Sequence, residues 1–559
     1  MRHDDPTAKA ASGGDTLPAL LGGLSRERGA APAIVYGGQG VTFAGLEERS
    51  RRVAQGLLEL GVGPGDRVAL WLPNVPAWLA LFFACARLGA IAVAVNTRFR
   101  GAEVADIVGR SGAKVLVLWP GFRGIDFTGI LRDVDPAALA SLAAIVVYDE
   151  GGGAVPDAPL GPRVVPYRRL EWRPPCDLDR ASGEGGCLIF TTSGTTRAPK
   201  FVLHRQAAVV RHARDVARRF GYAEPGTRLL QALPFCGTFG LAQAAAALAA
   251  GSPSVLMPAF DATEAAELIR LWAITHLNGT DDMFDRLLLA AAPEARPFPT
   301  LRWCGYAAFT PSLADLVERA DHRGVRLVGL YGASECQALF AGQPVEADAA
   351  TRARPGGFPV SEEAAVRIRD PETGEVLPDG RSGEIELRGP SIMVGYFGDA
   401  RATAAAFTED GFVRTGDLGY ATPGGGFVLL SRMGDVLRLG GFLVNPAEIE
   451  GHILEDPGVE GCQVVGAATA SGTRPVAFVI PAAGAEFSEE RLREHCRKGL
   501  ARYKVPERFF VLREFPTTVG PNGIKVQRGR LQEMAASRLS GGPPPPNRDR
   551  SSRTVGGPA

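Results

Sequence analysis

Several short segments of this chain carry hydroxylic and charged side chains that a packed core has no use for. From Thr191 to Lys200 the sequence reads TTSGTTRAPK, with hydroxyls at Thr192, Ser193, Thr195 and Thr196, a glycine at Gly194 and a lysine at Lys200. It follows an apolar run, CLIF, so it reads as a loop leaving the C-terminal end of a buried strand, where open α/β sheets place their ligands. Hydroxyls and the backbone N–H groups around Gly194 can wrap anionic oxygens, and Lys200 adds a point charge. This is phosphate-cradling chemistry, but not a Walker A loop: no second glycine precedes the lysine and no Ser or Thr follows it. Taken alone, the segment fits a solvated turn equally well.

It does not stand alone. GLYGASECQ ends the apolar run VRLVGL with Tyr331, Gly332, Ser334 and Glu335. RTGDLGY presents Asp417 in a glycine-flanked turn, SRMGD presents Arg432, and PTTVGPNGIKVQRGRL presents Lys525. Singly, these are a turn-former, a surface acid and a solvated lysine. In this order and spacing they resemble the adenylate-forming (AMP-binding) enzymes, and within them the acyl-CoA synthetase/ligase branch. The resemblance covers about residues 30–535 and includes TFAGLEERSRRVAQGLLELGVGPGDRVALWLPN, GEIELRGPSIMVGYFGDARATAAAFTEDGFVRTGDLGY, VNPAEIE and LARYKVPERFFVLREFP.

The resemblance implies an enzyme that adenylates a carboxylic acid with ATP and Mg²⁺, releasing pyrophosphate, and then transfers the acyl group to coenzyme A. It implies roles for named residues. Thr192, Ser193, Gly194, Thr195, Thr196 and Lys200 grip the outer phosphates. Tyr331 stacks on adenine beside Gly332, with Ala307 and Ala308 behind it. Ser334 binds the α-phosphate, Glu335 holds Mg²⁺, and Asp417 and Arg432 bind the ribose. Lys525 bridges substrate carboxylate and α-phosphate; Lys525, Glu335 and Thr196 form the catalytic set. Phe235, Gly237, Phe239 and Gly240 belong to the acid pocket. Gly434 is the hinge on which the small domain turns, and Gly440 and Gly441 then face the pantetheine arm.

The chain also departs from the family. Arg197 and Phe201 stand where glycines are common; Arg197 either contacts pyrophosphate or points outward, the second favoured because charged loop residues are usually solvated. Gly237 replaces an aromatic or histidine, which suggests a roomier acid site. The loop before Lys525 is longer than usual.

The surrounding elements agree with this reading. Helical runs such as VTFAGLEERSRRVAQGLLELG and PAWLALFFACARLG alternate with strand-like runs such as DRVALWLP, AIAVAVN, AKVLVLW, LAAIVVYD and PSVLMPA. Such alternation predicts an α/β fold with parallel pairing. The expected architecture is a large N-terminal domain of stacked αβ subdomains with a β-rich subdomain, plus a small mobile C-terminal α/β domain. Boundaries are placed at 16–433 and 434–540, with disordered tails at 1–15 and 541–559.

Lys+Arg and Asp+Glu balance at 61 each, so no global field draws the chain to nucleic acid or an anionic membrane. Two apolar stretches are interrupted by Arg87 and Gly89 or by Gly251 and Pro253, against a span of ~20 apolar residues. Eight scattered cysteines with no CxxC pair read as small buried hydrophobes of a reducing compartment. A cytoplasmic protein is expected, with no integral membrane association. No lysine or arginine is evident in the acid pocket, so the expected substrate is an apolar monocarboxylic acid: medium- or long-chain fatty, alicyclic or aromatic. Two alternatives remain, an enzyme that loads a separate acyl- or peptidyl-carrier protein and a catalytically weak binding relative. A homodimer is left open.

Overall fold

The computed structural model describes residues 15–150, 163–192, 199–291, 294–310, 313–433, 437–439, 442–469, 472–500, 502–520 and 523–539. By its internal contacts the chain divides into two compact units, Met1–Leu430 with Val519–Gly523, and Ser431–Thr518 with Ile524–Ala559.

In the first unit, β-branched and leucine-rich runs form two sheets. One, of eight strands, centres on Arg67–Trp71, Ile91–Ala94, Val115–Leu118, Ala144–Val147 and Gly186–Thr191, joined in parallel. Gly186–Thr191 then turns back as an antiparallel hairpin with Phe201–Arg205. The other, of thirteen strands, has a parallel core that includes His276–Thr280, Trp303–Ala307 and Leu327–Tyr331. Beyond Leu327–Tyr331 the pairing becomes antiparallel and leads through Gly426–Arg432 and Val413–Thr422 to the hairpin Ala365–Arg369/Gly383–Arg388. The β-rich region is therefore continuous with the edge of the parallel sheet.

Helices cover these sheets. Phe43–Glu59 is followed by Gly61 at φ +83°, a left-handed conformation open to glycine that ends the helix. The apolar helix Pro76–Arg87 is buried along its whole length, and Arg87 at its end pairs with Glu47 at 2.8 Å. Among the described residues no helix is long and apolar enough to cross a membrane. The helices Gln206–Arg219 and Thr238–Ala250 pack together, and the alanines of the second allow close approach. All eight cysteines are buried and free. Burial raises the thiol pKa of Cys85 and Cys236 to about 12, so both stay protonated.

The second unit has its own core of Ile449, Ile453, Val464, Ala477, Leu492 and Phe509. Strands Val459–Thr469, Gly472–Pro481 and Arg508–Val511 form a sheet covered by helices Pro446–Leu454, Glu489–Gly499 and Arg528–Leu539.

Candidate active site

Two strand ends of the first unit meet. At the end of Gly186–Thr191, the Thr192 side-chain oxygen accepts the Lys200 N–H at 3.1 Å and Thr192 N–H donates to the Lys200 carbonyl at 3.0 Å. This closes the neck of the hydroxyl-rich loop. Ser193, Gly194, Thr195, Thr196 and Arg197 themselves lie outside the described residues. Phe201 has a plain reason not to be glycine. Its ring is buried under the Arg110 guanidinium, 4.2 Å from the ring centroid, while Arg110 also donates to the Pro199 carbonyl.

Lys200 reaches the second strand end through one tyrosine. Its Nζ lies 4.4 Å from the centroid of the Tyr396 ring, and the Tyr396 hydroxyl donates to Glu335 Oε1 at 2.9 Å. Met393 N–H donates to the Glu335 carbonyl. Ser334 Oγ lies 3.3 Å from Thr238 Oγ1 at the start of the alanine-rich helix. On the last residue of the strand Leu327–Tyr331 itself, the Tyr331 hydroxyl donates to Asp417 Oδ2 at 2.6 Å, and its ring meets Phe427 edge-on at 5.0 Å. Lys200, Glu335 and Ser334 thus converge, and Tyr331 joins Asp417.

The loop after Tyr331 doubles back on itself. A Cβ on Gly332 would sit 2.4 Å from Ala338 Cα, so only glycine fits. Gln337 and Leu339 take left-handed φ of 55° and 67°, which costs side-chain-bearing residues ~1–3 kcal/mol each and persists only where the surroundings enforce it. Two buried histidines do so. His204 Nε2–H donates to the Ser334 carbonyl and His212 Nε2–H to that of Ala338, both at 2.8 Å. Burial pushes both imidazoles down to about pKa 4, so both are neutral at pH 7.

Ala307 ends its strand and Ala308 follows, exposed. The next turn is fixed by the buried carboxyl of Asp281, which accepts the Phe309 and Thr310 N–H groups at 2.7 and 2.6 Å. Burial raises this carboxyl's pKa, and those N–H groups oppose the shift. His204, His212, Asp281 and Tyr396 were not singled out by sequence reasoning.

The residues expected around the acid are divided. Phe235 is fully buried, its ring 5.4 Å from that of Trp78, and Phe239 also packs in the core. Gly237 caps the helix Thr238–Ala250, and a Cβ on Gly240 would lie 2.3 Å from the Pro234 carbonyl oxygen. A small space lies between this helix, the helix Gln206–Arg219 and the Gly186–Thr191 strand, with His212, Thr238 and Gln337 as the polar members of an apolar lining.

Arg432 ends the strand Gly426–Arg432 and is exposed. Gly434, Gly440 and Gly441 lie outside the described residues. Lys525 belongs to the strand Gly523–Val526, which pairs with Thr517–Gly520.

Comparison with known proteins supplies the context. The pattern of the AMP-binding enzyme family matches residues 25–397, and that of the AMP-binding enzyme C-terminal domain matches residues 448–519. A feruloyl-CoA synthase of Amycolatopsis sp is 31% identical over 512 residues, covering 90% of this chain and 95% of its own. Triostin synthetase I of Streptomyces triostinicus is 31% identical over 535 residues, covering 94% and 95%. The crystal structure of ATP-bound MatB from Rhodopseudomonas palustris superposes with a TM-score of 0.78 at 25% identity, covering 92% of this chain and 98% of that one.

Proposed function

The chain belongs to the AMP-binding enzyme family and is an AMP-forming acid–thiol ligase, and on that premise we propose that it activates an apolar monocarboxylic acid with ATP and Mg²⁺ and passes the acyl group to coenzyme A. The acid is a medium- or long-chain fatty acid or an alicyclic or aromatic one. The observation that carries this reading is the meeting of Lys200, Tyr396 and Glu335 beside Ser334 at two strand ends.

A carboxylate is a poor electrophile because its leaving group would be oxide. Its oxygen attacks the α-phosphorus of ATP, the bond to the bridging oxygen breaks, and pyrophosphate leaves. The thiol then attacks the acyl carbon and AMP departs. In this scheme Thr192 to Thr196 and Lys200 hold the outer phosphates, and Ser334 donates to the α-phosphate. Asp417 and Arg432 bind the ribose, and Tyr331, Gly332, Ala307 and Ala308 bound the adenine. Lys525 offsets the charge that builds on the attacked phosphate. Glu335 suits Mg²⁺, a hard cation that takes carboxylate and phosphate oxygens, and Tyr396 fixes one of its oxygens. The metal, when bound, neutralises phosphate charge. Apolar walls around the empty space beside Thr238 support an apolar acyl group.

The test is pyrophosphate release with ATP, Mg²⁺ and a panel of acids, with and without coenzyme A. Release with apolar acids, and a thioester when coenzyme A is added, is expected. Absence of release with every acid would overturn the reading. Release without thioester would move the acceptor to a carrier-protein thiol.

A further inference from the structure

The turn that carries Asp417 is a bulge in a β-ladder. The strand Gly383–Arg388 pairs antiparallel with Val413–Thr422, Glu384 opposite Leu418 and Glu386 opposite Arg414. Ile385 alone therefore lies across from Thr415, Gly416 and Asp417. A bulge of this kind bends its strand and re-aims the side chains it carries, and Gly416 supplies the left-handed φ of +68° that it needs.

Three side chains hold the bulge. Thr415 Oγ1 donates to the Ile385 carbonyl at 2.7 Å and accepts the Asp417 N–H at 3.0 Å. The Tyr331 hydroxyl donates to Asp417 Oδ2 at 2.6 Å. The third is Glu384, whose Oε1 accepts the Gly416 N–H at 3.2 Å. An N–H taken out of the ladder needs an acceptor from elsewhere, and a carboxylate makes the stronger, charge-assisted bond.

A carboxyl is a costly group to place there. Its side chain is 14% exposed. Burial, joined by the Glu386 and Asp417 carboxylates, raises its pKa, while the Gly416 N–H and Arg414 oppose the rise. Arg414 does not account for the acid: its Nη1 is 3.9 Å from Glu384 Oε2, and it is 46% exposed, so the pairing is weak. What Glu384 does in this position is hold the residue before Asp417.

We propose that Glu384 is a positioning residue of the nucleotide subsite: by holding the Gly416 N–H it fixes the aim of the Asp417 carboxylate, and through Asp417 it sets the preference for a ribonucleotide over its 2′-deoxy analogue. The inference rests on the reading of Asp417 as a ribose ligand in an acid-activating ligase. Glu384 itself touches no substrate.

The experiment follows pyrophosphate release by the full-length protein with ATP and with 2′-deoxy-ATP. The wild type should favour ATP ~10-fold or more in kcat/KM. Glu384→Ala, and Glu384→Met, which keeps more of the packing, should raise KM for ATP ~10-fold, leave KM for the acid unchanged and draw the nucleotide ratio toward one. Glu384→Gln keeps an oxygen for the Gly416 N–H and should restore the ratio. In an Asp417→Ala background, Glu384→Ala should change the ratio no further. Loosening of the sheet alone would lower activity with both nucleotides alike and would not depend on Asp417. A wild type indifferent to the 2′-hydroxyl, a ratio untouched in Glu384→Ala and Glu384→Met, or a glutamine variant no better than alanine overturns the proposal. Calorimetric binding of the two nucleotides separates it from the ligase reading. Glu384-dependent ribose selectivity without pyrophosphate release from any acid would remove the ligase and keep the positioning role; release with selectivity intact in Glu384→Ala would do the reverse.

Discussion

The loop Gly332–Leu339 in the first unit and the segment around Lys525 in the second both carry residues proposed for the reaction, and they are held by opposite means. Around Glu335 the backbone is strained at Gln337 and Leu339, and neutral groups hold it: the N–H groups of His204 and His212. Beyond Lys525 the chain enters the helix Arg528–Leu539, and charge holds it. Arg528 Nη2 lies 2.8 Å from Glu450 Oε1, Arg528 Nη1 donates to the Val464 carbonyl, and Val464 N–H donates back to Glu450. Glu450 is 0% exposed. A neutral brace avoids burying charge but is vulnerable to acid. A buried ion pair is vulnerable to loss of one partner.

The largest expected effect tests the charged brace. Arg528→Met should destabilise the second unit by about 3–5 kcal/mol, because Glu450 is left buried without its cation. Denaturant unfolding followed by a probe in that unit checks it; a change below 1 kcal/mol would show that Glu450 finds water or another partner. Next comes Lys525→Ala, expected to lower adenylation ~10²–10³-fold while thioester formation from preformed acyl-adenylate is largely kept. Equal loss in both half-reactions would sink its assigned role.

Acid tests the neutral brace. The folded-state pKa of His204 and His212, about 4, lies below the ordinary histidine value of 6.5. The unfolded chain therefore takes up protons first as pH falls. The stability linked to this shift is fully present above about pH 6.5 and is lost progressively as pH falls toward about 4, by roughly 3 kcal/mol per histidine. Melting temperature against pH should fall across that window in the wild type and fall less steeply in His204→Gln. Parallel curves would show that His204 does not carry the effect.

The same contrast separates what the sequence discloses from what it hides. Strand periodicity and the residues at strand ends are local properties. So Val115–Leu118, Gly186–Thr191 and Leu327–Tyr331 were legible, as were Tyr331, Glu335 and Asp417 as candidates. The supports were not. His204 meets Ser334 across 130 residues, and His212 meets Ala338 across 126. In VLHRQAAVVRHARD each looks like any residue of a strand end or an amphipathic helix. The same holds for Asp281, which reads as a helix-start acid until its carboxyl is seen holding Phe309 and Thr310. In the other direction, Phe235 reads as a pocket aromatic beside a helix start. Its packing on Trp78 depends on a helix more than a hundred residues earlier.

Tyr396 gives the finest test, because two of its side-chain contacts can be separated chemically. The ring faces Lys200 and the hydroxyl holds Glu335 Oε1. Tyr396→Phe keeps the first contact and removes the second. A hydrogen bond to a charged group contributes about 1.5–3 kcal/mol, and Glu335 is only partly buried, so the lower end applies. The expected result is about a tenfold loss in adenylation kcat/KM with a raised Mg²⁺ requirement. Tyr396→Ala should lose several-fold more, because Lys200 then loses its aromatic platform as well, a contribution of ~0.5–1 kcal/mol at an accessible site. If the phenylalanine variant matches wild type at limiting Mg²⁺, the hydroxyl does not position Glu335. Lys200 and Glu335 would then be neighbours without being coupled, and the histidine-braced loop would hold its carboxylate unaided.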